Sequence, residues 1–340
     1  MKFSLKIILL LFLLVLLMGL NLAWGSVAIS FESLFEILCG HSVDATKEAI
    51  VFQFRMPKIA AAMLAGASLS VSGLLMQTFF RNPIAGPFVL GISSGASLGV
   101  AILVMAGTYC SQFVLLASII NSTWAIILMS MIGAGLVLLL LLLVSLRVKD
   151  INTLLILGLM FGSASSAIVA LIQYFSSQQD LQQYILWSMG SLNGLNWEEI
   201  YYLAFIGSLL IFACLFISKS LDALLLGDQY ALSMGVSVPI IQKVILLITA
   251  LLAGAVTAFC GPIAFVGIAV PHIARMLFRT HRHIIIISTS VLIGMVTLLF
   301  CQFIAQLPGS DSQLPINVIT SFLGAPMVIY IVLRRKIIRT

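Results

Sequence analysis

Charge is scarce in this sequence. Only 8% of its 340 residues are Asp, Glu, Lys or Arg, 61% are hydrophobic, and the mean hydropathy is +1.20. A soluble domain carries roughly 25% charged and roughly 45–50% apolar residues, and it needs those charges to cover its surface. A water-covered globular protein is therefore excluded, and lipid is left as the covering solvent. The chain also lacks a GxxxxGK[ST] phosphate loop. Gly91-Ile92-Ser93-Ser94-Gly95 has no lysine after it, so ATP hydrolysis by that chemistry is excluded. No HExxH joins His41, His272, His281 and His283, and His281 with His283 reads as an ordinary polar loop. The five cysteines, Cys39, Cys110, Cys214, Cys260 and Cys301, have no ligand spacing. They read as small packing residues, with a Cys39–Cys110 bridge as the alternative. Every Asp and Glu falls in a loop or at a segment end, whereas ion-coupled carriers and proton relays keep ionisable groups at mid-bilayer. No catalytic residue, metal site or cofactor is expected.

What is abundant is apolar length. About 20 mostly apolar residues cross the hydrocarbon layer as a helix, and ten such segments are expected at approximately 5–24, 57–80, 89–106, 124–144, 151–174, 200–218, 241–259, 263–278, 284–307 and 316–333. Continuous apolar runs without period-two alternation select helices over barrel strands. The fold class is all-α, a polytopic membrane protein forming one permease domain over 1–340.

The basic residues set an orientation. With the N-terminus in the cytoplasm, Lys2, Lys6, Arg81, Arg147, Lys149, Lys219, Lys243, Arg275, Arg279, Arg282, Arg334, Arg335, Lys336 and Arg339 lie inside. Lys47, Arg55 and Lys58 lie outside, so 14 of the 17 basic residues share one side. The net charge of +6 is thus a topology signal, and no nucleic-acid partner is implied. Both termini are placed in the cytoplasm. Residues 5–24 are read as a retained span. The small residues at Ser26-Val27-Ala28 offer signal-peptide cleavage as the alternative, and cleavage would leave the orientation unchanged.

An internal repeat appears at an offset of 188 residues. Leu64-Ala65-Gly66-Ala67 falls on Leu252-Ala253-Gly254-Ala255, Gly73 on Gly261 and Pro83 on Pro271. The copies, approximately 57–174 and 241–333, lie five spans apart and so run in opposite directions, the inverted plan of many transporters. Convergent small-residue packing is the alternative. A transporter without a phosphate loop or mid-membrane charges draws its energy from a partner. The longest inner stretch, approximately 219–240, offers a docking surface. Its Leu221-Asp222-Ala223-Leu224-Leu225-Leu226-Gly227-Asp228-Gln229-Tyr230-Ala231-Leu232-Ser233-Met234-Gly235-Val236 reads as two short helices hinged at Gly227 and ended by Gly235. A surface connector without a partner is the plainer reading.

That stretch resembles the ATPase-coupling loop of the FecCD-type permeases, the type II ATP-binding cassette (ABC) importers of iron-siderophore complexes, haem and vitamin B12. Further matches run in order along the chain: Arg55-Met56-Pro57-Lys58; Met76-Gln77-Thr78-Phe79-Phe80-Arg81-Asn82-Pro83-Ile84-Ala85; Trp187-Ser188-Met189-Gly190-Ser191-Leu192 with Trp197; Gly261-Pro262-Ile263-Ala264-Phe265-Val266-Gly267-Ile268 leading to Pro271, His272 and Arg275; Leu314-Pro315; and Leu323-Gly324-Ala325-Pro326. The resemblance implies a homodimer of permeases, two ATPase subunits beneath and one substrate-binding protein above. It implies that Arg55 and Lys58 dock the binding protein, with interfacial anchoring as the alternative. Asp222, Leu226, Gly227, Ala231 and Gly235 would seat in the ATPase, and Asn82 would lie near the cytoplasmic gate. Gly261, Pro262, Gly267, Pro271, His272 and Arg275 are read as structural. The chain departs from the family at the second outer docking point, where Gln306 and Gln313 stand in place of charged residues. An ion-coupled carrier and an intramembrane lipid-modifying enzyme are the alternatives from other classes. The cargo is not legible.

Overall fold

Without water in the hydrocarbon layer, each backbone amide needs a partner inside its own segment, and long uninterrupted helices follow. The computed structural model describes residues 3–25, 27, 29–40, 44–110, 122–148, 150–306 and 313–338. Its α-helices are α1 Phe3–Ala23, α2 Phe31–Leu38, α3 Ala45–Ala49, α4 Met56–Phe79, α5 Ile92–Cys110, α6 Thr123–Ser145, α7 Ile151–Tyr174, α8 Gln178–Ser188, α9 Trp197–Phe216, α10 Ser218–Leu225, α11 Asp228–Ser233, α12 Val238–Cys260, α13 Val266–Phe278, α14 His283–Ala305 and α15 Ile316–Ile338. A π-helical turn, Ile50–Arg55, fuses α3 to α4, and a 3-10 turn, Pro87–Leu90, precedes α5. Polar residues start the helices where the sequence turns. Ser122, Asp150 and Ser177 cap α6, α7 and α8 by accepting amide hydrogens, and Asn196 with Glu199 forms a capping box on α9.

Each of the ten expected spans coincides with a helix. Seven are long and apolar enough to cross a membrane, while α5, α13 and α15 carry shorter apolar stretches. Two starts fall later than expected. The third span begins at Ile92, because Gly91 at φ +73° separates the 3-10 turn from α5. The eighth begins at Val266, because residues 261–265 run irregularly between α12 and α13. Cys39 carries a free thiol, so the bridge to Cys110 does not form; Cys214, Cys260 and Cys301 are buried packing residues.

The helices are arranged around α4. Every residue from 65 to 79 is buried, and α4 packs against α14, α12, α13, α9 and α10. In a membrane, helices do not associate by hiding apolar surface from water, so close packing must hold them. Here it is backbone against backbone. A Cβ on Gly66 would lie 2.2 Å from the Gly294 carbonyl oxygen of α14, and one on Gly73 would lie 1.8 Å from the Gly267 oxygen of α13. Pro271, four residues after Gly267 in α13, has no amide to donate to that carbonyl. The second central helix is α12, the next most buried span. The repeat pair Gly73 and Gly261 occupies unlike places, one inside α4 and one just past the end of α12. By contrast α7, α8 and α15 are peripheral, with contacts chiefly to α5 and the 3-10 turn for the first, α5 for the second, and α14 and α13 for the third.

The glycine contacts make a sharp expectation. Gly73→Ala forces α4 and α13 apart and destabilises the chain by about 1–3 kcal/mol, the range for overpacking. Gly135→Ala in α6, where nothing lies within 4 Å of the added carbon, gains about 0.5–1 kcal/mol of helix propensity. Unfolding midpoints of the two variants in one detergent should therefore move in opposite directions.

Candidate functional site

Two polar clusters lie at opposite ends of α4. At the basic end, α10 and α11 form the expected pair of short helices. Gly227 joins them at φ +115° and ψ 155°, a conformation open to glycine, and the amide of Val236 closes the second helix by donating to the Ala231 carbonyl. The pair has a buried root of Leu221, Ala223, Leu224 and Ala231. Its outer side carries Leu225, Leu226, Tyr230, Leu232 and Met234, all exposed. Of the residues assigned to coupling, Leu226 therefore stands on the outer surface and Ala231 supports it from within.

Three groups tie this end of α4 to its neighbours. Asp222 of α10 accepts, on one carboxylate oxygen, the backbone amide of His283 at 2.8 Å and sits 2.7 Å from its ring Nδ1. The same ring's Nε2 lies 2.9 Å from the Thr78 hydroxyl of α4, which also donates to the Leu74 carbonyl at 3.0 Å. Arg81, just past α4, forms an exposed ion pair with Asp228 of α11. Arg275 of α13 donates to the Gln77 side-chain oxygen, and the Gln77 amide group donates to the Ile268 carbonyl at 3.0 Å. The reading of His283 as part of a polar loop is corrected: it opens α14 and is 1% exposed, because both its ring nitrogens find partners inside the structure. Asn82 shapes the turn after α4, its side-chain oxygen accepting the Ile84 amide at 3.2 Å.

At the other end, Arg55 and Lys58 lie close together but in unlike surroundings. Arg55 is 8% exposed, and its guanidinium donates to the Leu22 and Val27 carbonyls at and beyond the C-terminus of α1, where a cation complements the helix dipole. Lys58 reaches the surface and donates to Gln313 at 3.1 Å; Asn193 donates to the same Gln313 oxygen at 2.6 Å. Gln306 turns inward and donates to buried Asn21 at 3.2 Å. Arg55, Lys58, Asn193, Gln306 and Gln313 line a cleft of about 510 Å³, together with Gln53 and Asn196. The family departures at 306 and 313 thus have separate places, one inside the packing and one beside Lys58.

Of the motif residues read as structural, Gly261 and Pro262 lie near this end, while Gly267 packs on Gly73 within α4 and Arg275 bonds Gln77 at the basic end. The Ser191 amide donates to the Cys260 carbonyl at 2.8 Å, the Asn317 amide to the Met189 carbonyl at 3.3 Å, and the Ala264 amide to the Asn317 side chain at 3.0 Å. A Cβ on Gly261, at φ +72°, would come within 2.6 Å of the Trp187 carbonyl oxygen, and one on Gly190 within 2.9 Å of that of Pro262. Segments 187–192, 260–264 and the start of α15 are therefore one knot of backbone contacts. Asn193, Asn317, Thr78 and His283 escaped the sequence reading. Only Thr78 sat inside a matched motif, where neighbouring Gln77 and Arg81 were equally plausible. Among the described residues, no group of three or more His, Cys, Asp or Glu is placed to hold a metal ion.

The model of the FecCD transport family matches residues 11–334. The chain is 33% identical over 297 residues to the vitamin B12 import system permease protein BtuC of Klebsiella pneumoniae, covering 87% of this chain and 86% of that one. It is 32% identical over 295 residues to the BtuC of Salmonella typhi, covering 87% of each. A solved structure described as an inward-facing conformation of a metal-chelate type ABC transporter superposes with a TM-score of 0.85 at 26% identity, covering 98% of this chain and all of that one. PsaBC from Streptococcus pneumoniae shares the fold at a TM-score of 0.53 and 12% identity, covering 87% and 94%.

The unlike surroundings of the two basic residues are testable. Arg55→Met leaves two carbonyls without their charged donor and costs about 3 kcal/mol, whereas Lys58→Met changes stability by about 0.5 kcal/mol or less. Unfolding midpoints separate the two, and equal shifts would contradict the placement of Arg55.

Proposed function

The chain belongs to the FecCD transport family, and we propose that it is the membrane permease subunit of an ABC importer that brings an iron complex, siderophore-bound or haem, or vitamin B12 from periplasm to cytoplasm. The reading supplies the orientation: the α10–α11 end faces the cytoplasm, with both termini on that side, in a bacterial inner membrane. A second copy of the chain, two ATPase subunits and a substrate-binding protein complete the machine. The observation that carries the proposal is the α10–α11 knob. Its apolar outer side suits burial against a cytoplasmic partner, and its buried root is joined through Asp222 and Asp228 to the inner end of the central helix. Nucleotide-driven movement of the ATPases then reaches the membrane through this knob, and the pathway between two copies opens on one side at a time.

On the outer side, docking of the binding protein is assigned to the surface around Lys58, Asn193 and Gln313, with Arg55 holding the cleft from behind. Charge there steers and registers an acidic partner more than it holds it. Asn82 is assigned to the inner end of the pathway through the turn it shapes. Cargo is discriminated by uptake of haem, a ferric siderophore and cyanocobalamin, offered separately to proteoliposomes.

Three outcomes are expected. The chain co-expressed with a cassette ATPase from its own source hydrolyses ATP as a complex, and the purified chain alone does not; hydrolysis by the chain alone would sink the proposal. Gly227→Pro leaves insertion intact and abolishes transport, since no proline adopts φ +115°; normal uptake by this variant removes the knob from coupling. Lys58→Glu weakens association with the binding protein roughly tenfold at low salt, and the wild-type affinity falls as the Debye length shrinks to about 3 Å near 1 M salt. An affinity flat in salt and unchanged by Lys58→Glu would take this surface out of docking.

A further inference from the structure

His283 sits between the knob and the central helix, and its bonds say more than that the two touch. A hydroxyl has one hydrogen, and that of Thr78 points to the Leu74 carbonyl; toward the ring, Oγ1 is then an acceptor, and Nε2 carries a hydrogen. Asp222, an acceptor when ionised, takes the hydrogen of Nδ1. In this wiring both ring nitrogens would donate, as they do only in the imidazolium form. The neutral ring can keep both contacts by another wiring, in which the Thr78 hydroxyl leaves Leu74 and donates to Nε2. The charged groups that act on the ring are Asp222 of α10, Arg275 of α13 and His281 in the turn before α14. Arg81, at the end of α4, is occupied by Asp228.

We propose that His283 is a positioning residue of the coupling step: bonded to Asp222 on one ring nitrogen and to Thr78 on the other, it latches the α10–α11 knob to the last turn of α4, most firmly in its protonated form. The latch rests on the transporter reading for its purpose but not for its existence. A charge-assisted bond is roughly twice as strong as a neutral one, so loss of the ring's proton loosens the knob without releasing it. Arginine can donate to both partners at any pH; glutamine has neither the charge nor the reach of two opposed donors.

Amide hydrogen exchange of residues 219–235 in the detergent-purified full chain reads the latch directly, after correction for the intrinsic pH dependence of exchange. Wild-type protection is expected to fall about fivefold between pH 5.5 and pH 8. His283→Gln gives low protection at both pH values, and His283→Arg restores high protection that no longer varies. Thr78→Val, a near-isosteric change that keeps both Asp222 and His283, lowers protection and flattens its pH profile. Wild-type protection that is flat in pH, or a Thr78→Val or His283→Gln profile identical to wild type, overturns the latch. In the ATPase complex, His283→Gln hydrolyses ATP but moves less cargo per nucleotide, and His283→Arg recovers the ratio. A wild-type chain that shows the pH-dependent protection yet binds no ATPase overturns the transporter reading alone; a coupled wild type with an equally coupled His283→Gln overturns the latch alone.

Discussion

Everything in this bundle is referred to one helix whose backbone is approached to contact. Where α4 meets α14 at Gly66 and Gly294, and α13 at Gly73 and Gly267, no added carbon fits. This is the membrane's version of a core. Burial from water does not distinguish a helix neighbour from a lipid chain, so dispersion and shape must decide, and both reward the closest approach. Small residues at those positions let α4 lose all contact with lipid over residues 65–79. A helix so enclosed cannot slide against its partners without first separating from them, and its two ends become fixed points on which surface features can be mounted.

Both ends use the same device, a cation or polar group satisfied by a neighbour's backbone. Arg55, in the π-helical turn that leads into α4, donates to carbonyls at and just beyond the end of α1. Lys6 of α1 donates to the Leu277 carbonyl in the last turn of α13 at 2.6 Å, with the Phe278 ring beneath it. Terminal carbonyls have no partner within their own helix, and a cation there adds dipole complementarity to the hydrogen bond. Two of the scarce charges are thus spent on joining helices at their ends.

Much of this was legible because membrane helices announce themselves by length. All ten expected segments found a helix, and the Gly227 hinge and Gly235 stop were readable from glycine punctuation in a short amphipathic run. The shortened starts of α5 and α13 were not readable, since Gly91 and the 261–265 stretch are apolar or neutral and look like span. Arg55 and Lys58 looked alike in sequence, one residue before and one after a shared Met-Pro, and only the path of α1 decides which is enclosed. His283 was misread for a similar reason. Neighbouring His281 and Arg282 are exposed and polar, and nothing local says that the next residue turns inward; its partners lie 61 and 205 positions away in the chain. Gln306 followed the same pattern, a polar residue expected at a surface and satisfied instead by Asn21 of α1.

The arrangement also dictates where movement can go. The knob is attached to the end of α4 at two points, through His283 to Thr78 and through Asp228 to Arg81, so a displacement of α10 and α11 is not absorbed in their own loop. It would pass to α4, which is held to α12, α13 and α14 by continuous packing. The more loosely held elements are α7 and α8, which lie chiefly against α5, and α15, which rests chiefly on α14 and α13 of this frame. They expose Leu159, Leu171, Phe322 and Ile329 among others, faces that in a dimer meet lipid or the second copy. A rigid frame driven from below and flanked by loosely held helices is a two-part body. Closely packed interfaces move between discrete arrangements and do not bend continuously. A displacement of the frame would therefore change its contact with the outer helices before it changed the packing around α4 itself.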